Sequence, residues 1–162
     1  DKLVDDVIVI DDYGHHPTAV KTTLEGYKEF YKGRKLIVDF MSHTYSRTQA
    51  LLPQFAECFD TADLLILNKI YSSARENPSD FNITGKTLFE GTLEHWKSRG
   101  NASDSIFYFD DCLDAVDFVK AELDKPLSKE FPDGYLFITM GAGDNWKLGR
   151  EILSEYKACL KK

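Results

Sequence analysis

Short apolar runs alternate with helix-period segments along almost the whole chain, and this alternation constrains the fold more than any other feature of the sequence. Residues 7–10 form a β-branched run that stops at Asp11-Asp12-Tyr13-Gly14-His15-His16-Pro17, which reads as a buried strand and a tight loop. From Pro17, suited to a first helical turn, Val20, Leu24, Tyr27 and Tyr31 recur at spacings of three and four as far as Gly33, predicting a helix of about four turns. Residues 35–41 repeat the strand pattern. Residues 46–59 repeat the helical one, with Leu51, Leu52, Phe55 and Phe59 on one side and Pro53 placed to confine or kink it. Residues 62–70 make a third strand, continuous in Leu and Ile as burial of both faces requires, and residues 71–83 read as a polar loop. Thr84 then caps a helix through Leu88, Phe89, Leu93 and Trp96 that stops at Gly100. Residues 105–109 are a fourth strand, and Asp111 opens a helix through Leu113, Val116, Val119 and Leu123 that Pro126 ends. Residues 135–140 are a fifth strand, with a last helix after residues 141–145.

Strands that alternate with helices pair in parallel through right-handed crossovers. The predicted fold is therefore α/β, a single three-layer, Rossmann-like domain over residues 1–162 with a mostly parallel sheet flanked by helices. At 162 residues and 43% hydrophobic content the chain closes one substantial core and is too short for two. Ligands of open α/β sheets bind at the carboxyl ends of the strands. The loops at residues 11–17, 42–48 and 141–145 each follow a strand, so all three are expected along one edge of the sheet.

Twenty basic against 27 acidic residues, a formal charge of -7, argue against a surface built for a nucleic-acid backbone. Cys58, Cys112 and Cys159 are odd in number and form no CxxC pair, so neither a disulfide framework nor a zinc site is indicated. A reducing, cytoplasmic location fits that usage. No apolar run reaches the roughly 20 residues that span a bilayer, and no basic stretch followed by an apolar signal segment opens the chain. A start at Asp1 without an initiator methionine leads us to expect a piece of a longer polypeptide.

The first loop crowds Asp11, Asp12, Tyr13, His15 and His16 into a connector for which Gly, Asn or Pro would suffice. The blander reading has an aspartate ending the strand while His16 and Pro17 start the helix. The second loop, Ser42-His43-Thr44-Tyr45-Ser46-Arg47-Thr48, offers an imidazole, hydroxyls and a guanidinium able to fork onto a carboxylate or phosphate, with Ser46 a possible helix cap. Gly141 and Gly143 in the third loop allow close backbone approach at a helix amino terminus, though such a pair is more often only a tight turn. Gly85-Lys86-Thr87 is not a phosphate-binding loop, because Asp80 stands where that motif needs its first glycine; it reads as a helix start. The aspartates at positions 110–117 fit the beginning and wet face of a helix, and His95 fits an ordinary packing role.

Taken together and in this order, these three loops resemble the carboxy-terminal domain of the Mur ligases, and within that family its alanine-adding members. The residues that carry the resemblance are Val9-Ile10-Asp11-Asp12-Tyr13-Gly14-His15-His16-Pro17-Thr18, His43-Thr44-Tyr45-Ser46-Arg47-Thr48 with residues 51–59, and Thr139-Met140-Gly141-Ala142-Gly143-Asp144; residues 71–104 match only loosely. The resemblance implies a three-domain, cytoplasmic enzyme of peptidoglycan synthesis. An amino-terminal domain would hold UDP-N-acetylmuramate, a central domain would carry the P-loop and most contacts to ATP and Mg2+, and this domain would close over both. The family reaction phosphorylates the muramoyl carboxylate with ATP. The amine of L-alanine then attacks the acyl phosphate, releasing ADP and phosphate. On the same basis Arg47 and His43 are expected to take the alanine carboxylate, Tyr13 and His15 to line the pocket and orient the amine, and Asp11 with Asp12 to face the nucleotide. This domain alone would hold no complete catalytic set and no metal of its own. Family members often place a basic residue where Thr44 stands, which implies a weaker or rearranged anchor here.

Three other readings remain open on the sequence. A peptide-recycling ligase of the same family would add a tripeptide to the same UDP-sugar, although Tyr13-Gly14 favours the alanine type over the Phe-Ala more usual in recycling enzymes. A metal-dependent hydrolase would use His15, His16, His43, Asp11 and Asp12 as ligands. A noncatalytic nucleotide-binding module is the third.

Overall fold

The structure, a computed structural model, describes residues 6–160, with side chains as far as residue 156. Five strands form one parallel sheet: β1 (Val7–Asp12), β2 (Arg34–Met41), β3 (Leu64–Leu67), β4 (Ile106–Tyr108) and β5 (Gly134–Gly141), in spatial order β1-β5-β2-β3-β4. The helices are α1 (Pro17–Phe30), α2 (Tyr45–Ala50), α3 (Leu52–Glu57), α4 (Gly85–Ser98), α5 (Val116–Leu123) and α6 (Trp146–Leu160).

Strand side chains alternate between faces, and the two cores follow that period of two. On one face Leu36, Val38 and Phe40 of β2 and Leu136, Ile138 and Met140 of β5 pack against Val20 and Leu24 of α1, Phe55 of α3, and Leu88 and Trp96 of α4. On the other, Ile37, Met41, Ile66 and Phe137 meet Val119 and Leu123 of α5 and Leu148 and Ile152 of α6. The α/β architecture with helices on both faces is therefore the one that the alternation of patterns predicts.

Helix ends follow local chemistry. His16 caps α1 by accepting from the Thr18 N–H at 3.3 Å, with Pro17 in the first turn. Thr84 and Thr87 form a reciprocal capping box at α4, so the GKT sequence is a helix start as read. Its glycine serves packing, since a Cβ on Gly85 would lie 2.4 Å from the Asn68 carbonyl oxygen. Asp111 accepts from the Leu113 N–H at 2.9 Å and opens a short 3-10 turn that leads into α5.

Two elements differ from expectation. The helix predicted over residues 46–59 is two short helices broken at Leu51, with Pro53 in the first turn of α3. A proline lacks the N–H that a continuous helix needs but fits a new start. The third strand is only Leu64–Leu67, although the next two residues stay bonded to the neighbouring segments, Asn68 N–H to the Phe40 carbonyl of β2 and Lys69 N–H to that of Asp110 after β4.

Strand β5 returns from β4 to lie between β1 and β2, reversing the direction of winding. The register sets Asp12 beside Met140 and Met41 beside Gly141, so the loops after β1, β5 and β2 leave from adjacent strand ends. This is the topological switch point at which such sheets bind ligands. Gly141 sits at φ +128°, and a Cβ there would lie 2.3 Å from the Met41 carbonyl oxygen.

Below these ends Asp11, Thr139 and Asp39 share one register row. Thr139 donates through Oγ1 to Asp11 at 2.8 Å. Asp39 is fully buried and accepts from the side-chain amides of Asn145 at 2.8 Å and Asn68 at 3.2 Å. Asn145 also donates to the Met140 carbonyl, so Asp39 pins the turn into α6 to the central strand. Burial pushes the Asp39 carboxyl up from about 3.8 to about 7 against the opposing effect of the two amide donors.

Two stability predictions follow from these contacts. Gly141→Ala should cost about 2 to 4 kcal/mol, read as a lower denaturant midpoint, because the variant combines a disfavoured φ with overlap against β2. A folded-state pKa raised to about 7 means that the folded chain binds the Asp39 proton more tightly than the unfolded chain. Its stabilising effect is complete below pH ~4 and is lost as pH rises towards ~7. The stability of Asp39→Asn relative to the native residue should therefore improve by at least about 1 kcal/mol between pH 5 and pH 8. A difference that does not change with pH would contradict this assignment.

Candidate functional site

The loop after β1 is built around Asp12, which faces inward. Its Oδ1 accepts from the Gly14 N–H at 2.8 Å and its Oδ2 from the Tyr27 hydroxyl at 2.9 Å. Burial first, and Asp12 second, raise the Tyr27 phenol to about 12. Both oxygens of Asp12, expected with Asp11 to face the nucleotide, thus accept bonds that shape the loop. His16 is spent on the cap of α1.

Tyr13 and His15 remain on the outside of this loop, with Tyr13 72% exposed and the two rings in edge contact at 5.2 Å. His15 Nδ1 lies 3.0 Å from the Tyr13 carbonyl oxygen. A carbonyl only accepts, so Nδ1 carries the hydrogen and Nε2 of the neutral ring is an acceptor.

The loop after β2 folds around Thr44, whose φ of +70° is unusual for a residue with a Cβ. Thr44 caps α2, its Oγ1 accepting from the Arg47 N–H at 3.3 Å, and its carbonyl accepts from the Thr48 hydroxyl at 2.7 Å. Tyr71 lies alongside, its N–H donating to the Ser42 carbonyl at 2.8 Å and its carbonyl accepting from the Thr44 N–H at 3.0 Å. His43 is thus held between two backbone bonds with its ring 5.7 Å from that of Tyr71. Arg47 reaches back towards the His43 carbonyl at 3.5 Å.

Partial burial, then the Arg47 guanidinium, then the His15 ring hold His43 below its ordinary pKa of 6.5, while Glu76 opposes the shift. At neutral pH His43 is therefore an uncharged donor or acceptor, and Arg47 is the permanent cation beside it. The effect of His15 on His43 also places the first and second loops within electrostatic reach of each other.

The third loop is packed rather than open. A Cβ on Gly143 would lie 2.4 Å from the Met41 sulfur and 3.2 Å from Tyr71 Cβ. Its glycines therefore let the loop settle onto β2 and Tyr71. Asp11, with one oxygen accepting from Thr139, is exposed and lines a groove with Val9, Trp146 and Arg150, whose guanidinium stacks 4.5 Å over the Trp146 ring.

The edge of the sheet thus presents a fixed cation, a neutral imidazole, a second imidazole with an available acceptor, and a phenol. A cation for a carboxylate and acceptors for an ammonium suit a small zwitterion. The metal-hydrolase reading lacks its ligand set, since His16 caps α1, Asp12 is engaged on both oxygens, and among the described residues no three His, Cys, Asp or Glu side chains gather as metal ligands. No helix among the described residues is long and apolar enough to cross a membrane.

Two residues outside the sequence-predicted set hold this edge in place. Asp39 had a visible signal, a lone carboxylate in an otherwise apolar run. Glu76 had none: it lies in the polar loop and caps a helix 30 residues earlier in the chain through Ser46.

The family model described as Mur ligase, glutamate ligase domain, matches residues 2–143. A Treponema pallidum UDP-N-acetylmuramate–L-alanine ligase is 46% identical over 151 residues, which is 93% of this chain and 28% of that ligase. The chain therefore spans little more than a quarter of the length of this relative. Among solved structures, the UDP-N-acetylmuramate-alanine ligase of Thermotoga maritima matches with a TM-score of 0.65 at 20% identity, over 98% of this chain and 28% of that one. A murein peptide ligase from Psychrobacter arcticus matches with a TM-score of 0.62 at 20% identity, over 94% of this chain and 28% of that one. At that identity the two structures speak for the fold alone. Residue match, sheet topology and the three loops at the switch point agree, and the chain belongs to the Mur ligase family as its carboxy-terminal domain.

Proposed function

We propose that this chain is the amino-acid-binding domain of an ATP-dependent ligase that joins L-alanine to UDP-N-acetylmuramate in peptidoglycan synthesis. The observation that carries the reading is the meeting of Arg47, His43, Tyr13 and His15 at one edge of the sheet, in a chain 46% identical to a ligase named for that reaction. ATP with Mg2+, held mainly by the central domain in this family, supplies the phosphoryl group that activates the muramoyl carboxylate. We assign Asp11, exposed at the end of β1, to the nucleotide, since both oxygens of Asp12 already accept bonds within the loop.

The residues present divide the work on the amino acid. Arg47 carries a charge at every working pH and takes the alanine carboxylate. His43, neutral at pH 7, adds a hydrogen bond without a second charge. His15 presents Nε2 as an acceptor for the alanine amine, orienting its lone pair towards the activated carboxyl, and the exposed ring of Tyr13 covers the pair. Attack forms the amide bond as the bond from acyl carbon to phosphate oxygen breaks. The ammonium gives up one proton to water to free the lone pair, a second leaves nitrogen for the departing phosphate as the amide forms, and that phosphate takes the electron pair of the broken bond. Closure of this domain over the other two brings the wall to the reacting carboxyl and excludes water.

The full-length polypeptide should release phosphate from ATP in the presence of UDP-N-acetylmuramate and L-alanine. Release that depends on tripeptide instead would move the assignment to the peptide-recycling type. Arg47→Ala should raise KM for L-alanine about 10- to 100-fold, the loss of a charge-assisted hydrogen-bonded pair, and leave KM for UDP-N-acetylmuramate unchanged. An unchanged alanine KM would remove Arg47 from the site.

A further inference from the structure

Helix α2 spans only six residues and has no acidic residue in its first turn. The carboxylate that satisfies its free N–H groups comes from the loop after β3. Glu76 Oε2 accepts from the Tyr45 N–H at 3.0 Å, and Oε1 from the Ser46 N–H at 3.1 Å and the Ser46 hydroxyl at 2.5 Å. The same loop is fastened to α2 at two further points, where Phe81 stacks on Tyr45 at 6.0 Å and the Asn82 N–H donates to Gln49 at 3.3 Å. Tyr71, at its start, is bonded to Ser42 and Thr44 on either side of His43. The segment from Tyr71 to Asn82 is thus a strap over the second loop, and Glu76 is its charged fastener.

We propose that Glu76 is a positioning residue for the amino-acid carboxylate: by occupying the amino end of α2 it fixes the Thr44 turn and leaves the Arg47 side chain as the charged group that meets the incoming anion. The inference rests on the reading of Arg47, His43, Tyr13 and His15 as an amino-acid wall. Three observations support it. Thr44 holds a disfavoured φ of +70°, a conformation that persists only where surrounding contacts fix it, and Glu76 bonds to the next two residues. Hydrogen bonds from Ser46 and Tyr45 hold the Glu76 carboxyl below its ordinary range despite the desolvation that opposes them, so it is ionised at neutral pH. Glu76 also satisfies the free N–H groups of Tyr45 and Ser46, the two residues directly before Arg47.

The test is steady-state kinetics of the full-length enzyme carrying Glu76→Gln, which keeps size and one acceptor, and Glu76→Ala. KM for L-alanine should rise in the order Glu, Gln, Ala, by roughly tenfold at alanine, while KM for ATP and UDP-N-acetylmuramate stays within about twofold. The pH profile gives a readout that a purely structural role would not move. The groups that face His43 are Arg47 from α2, His15 from the first loop, Tyr71 and Glu76. Of these Glu76 alone favours the imidazolium, so Glu76→Gln should move the acid limb of kcat/KM for L-alanine to lower pH. An alanine KM within twofold of wild type with an unshifted limb would overturn the proposal. So would a parallel rise of all three KM values, which would mark general disruption. If the wild-type enzyme responds to tripeptide instead of L-alanine, the reading of the substrate fails, and the same ranking on tripeptide KM then decides the role of Glu76.

Discussion

The insertion of β5 between β1 and β2 is the constraint on which the rest of this domain depends. It reverses the winding of the sheet and sets three loops side by side, and it requires Gly141 to pass the Met41 carbonyl where no Cβ fits. Beneath that crossing the row of Asp11, Thr139 and Asp39 ties the strand ends together. Asn145 then fastens the turn into α6 to the buried Asp39 carboxylate. A buried carboxylate with amide donors and no cation is an unfavourable way to hold a turn if packing alone is considered. Its effect is to fix the edge from which the candidate binding residues project.

On that edge charge is distributed unevenly. Arg47 is the cation, His43 is kept neutral first by burial and then by the Arg47 guanidinium beside it, and the Glu76 carboxylate is engaged by α2. Such a surface offers a small zwitterion a cation for its carboxylate and acceptors for its ammonium group.

Much of the fold was legible in the sequence because apolar runs of strand length and helix-period segments alternate along almost the whole chain, apart from the polar loop at residues 71–83. Pro17 at the first turn of α1 and Gly100, at φ +78° after α4, punctuate it where read. The break at Leu51 was half legible: Pro53 signals a disturbance, but only the geometry shows a second helix starting there. The site divides in the same way. Tyr13, His15, His43 and Arg47 stand out as chemistry in connectors, and three of them are mutually coupled in the structure, His15 and Arg47 through His43. Asp12 stood out for the same reason and turns out to build its own loop, since composition cannot tell a carboxylate that faces outward from one that accepts from Gly14 and Tyr27. Glu76 could not be found at all, because its partners lie in another loop and no local pattern links them.

The role proposed for Arg47 is to receive the amino-acid carboxylate. The most direct measurement is a crystal structure of the full-length polypeptide closed on UDP-N-acetylmuramate, L-alanine and a non-hydrolysable ATP analogue. The alanine carboxylate should lie about 2.7–2.9 Å from the Arg47 guanidinium, with His43 in hydrogen-bond contact and Glu76 still on Tyr45 and Ser46. A carboxylate seated on the amino end of α2 in place of Glu76, or bound away from Arg47 altogether, would contradict it.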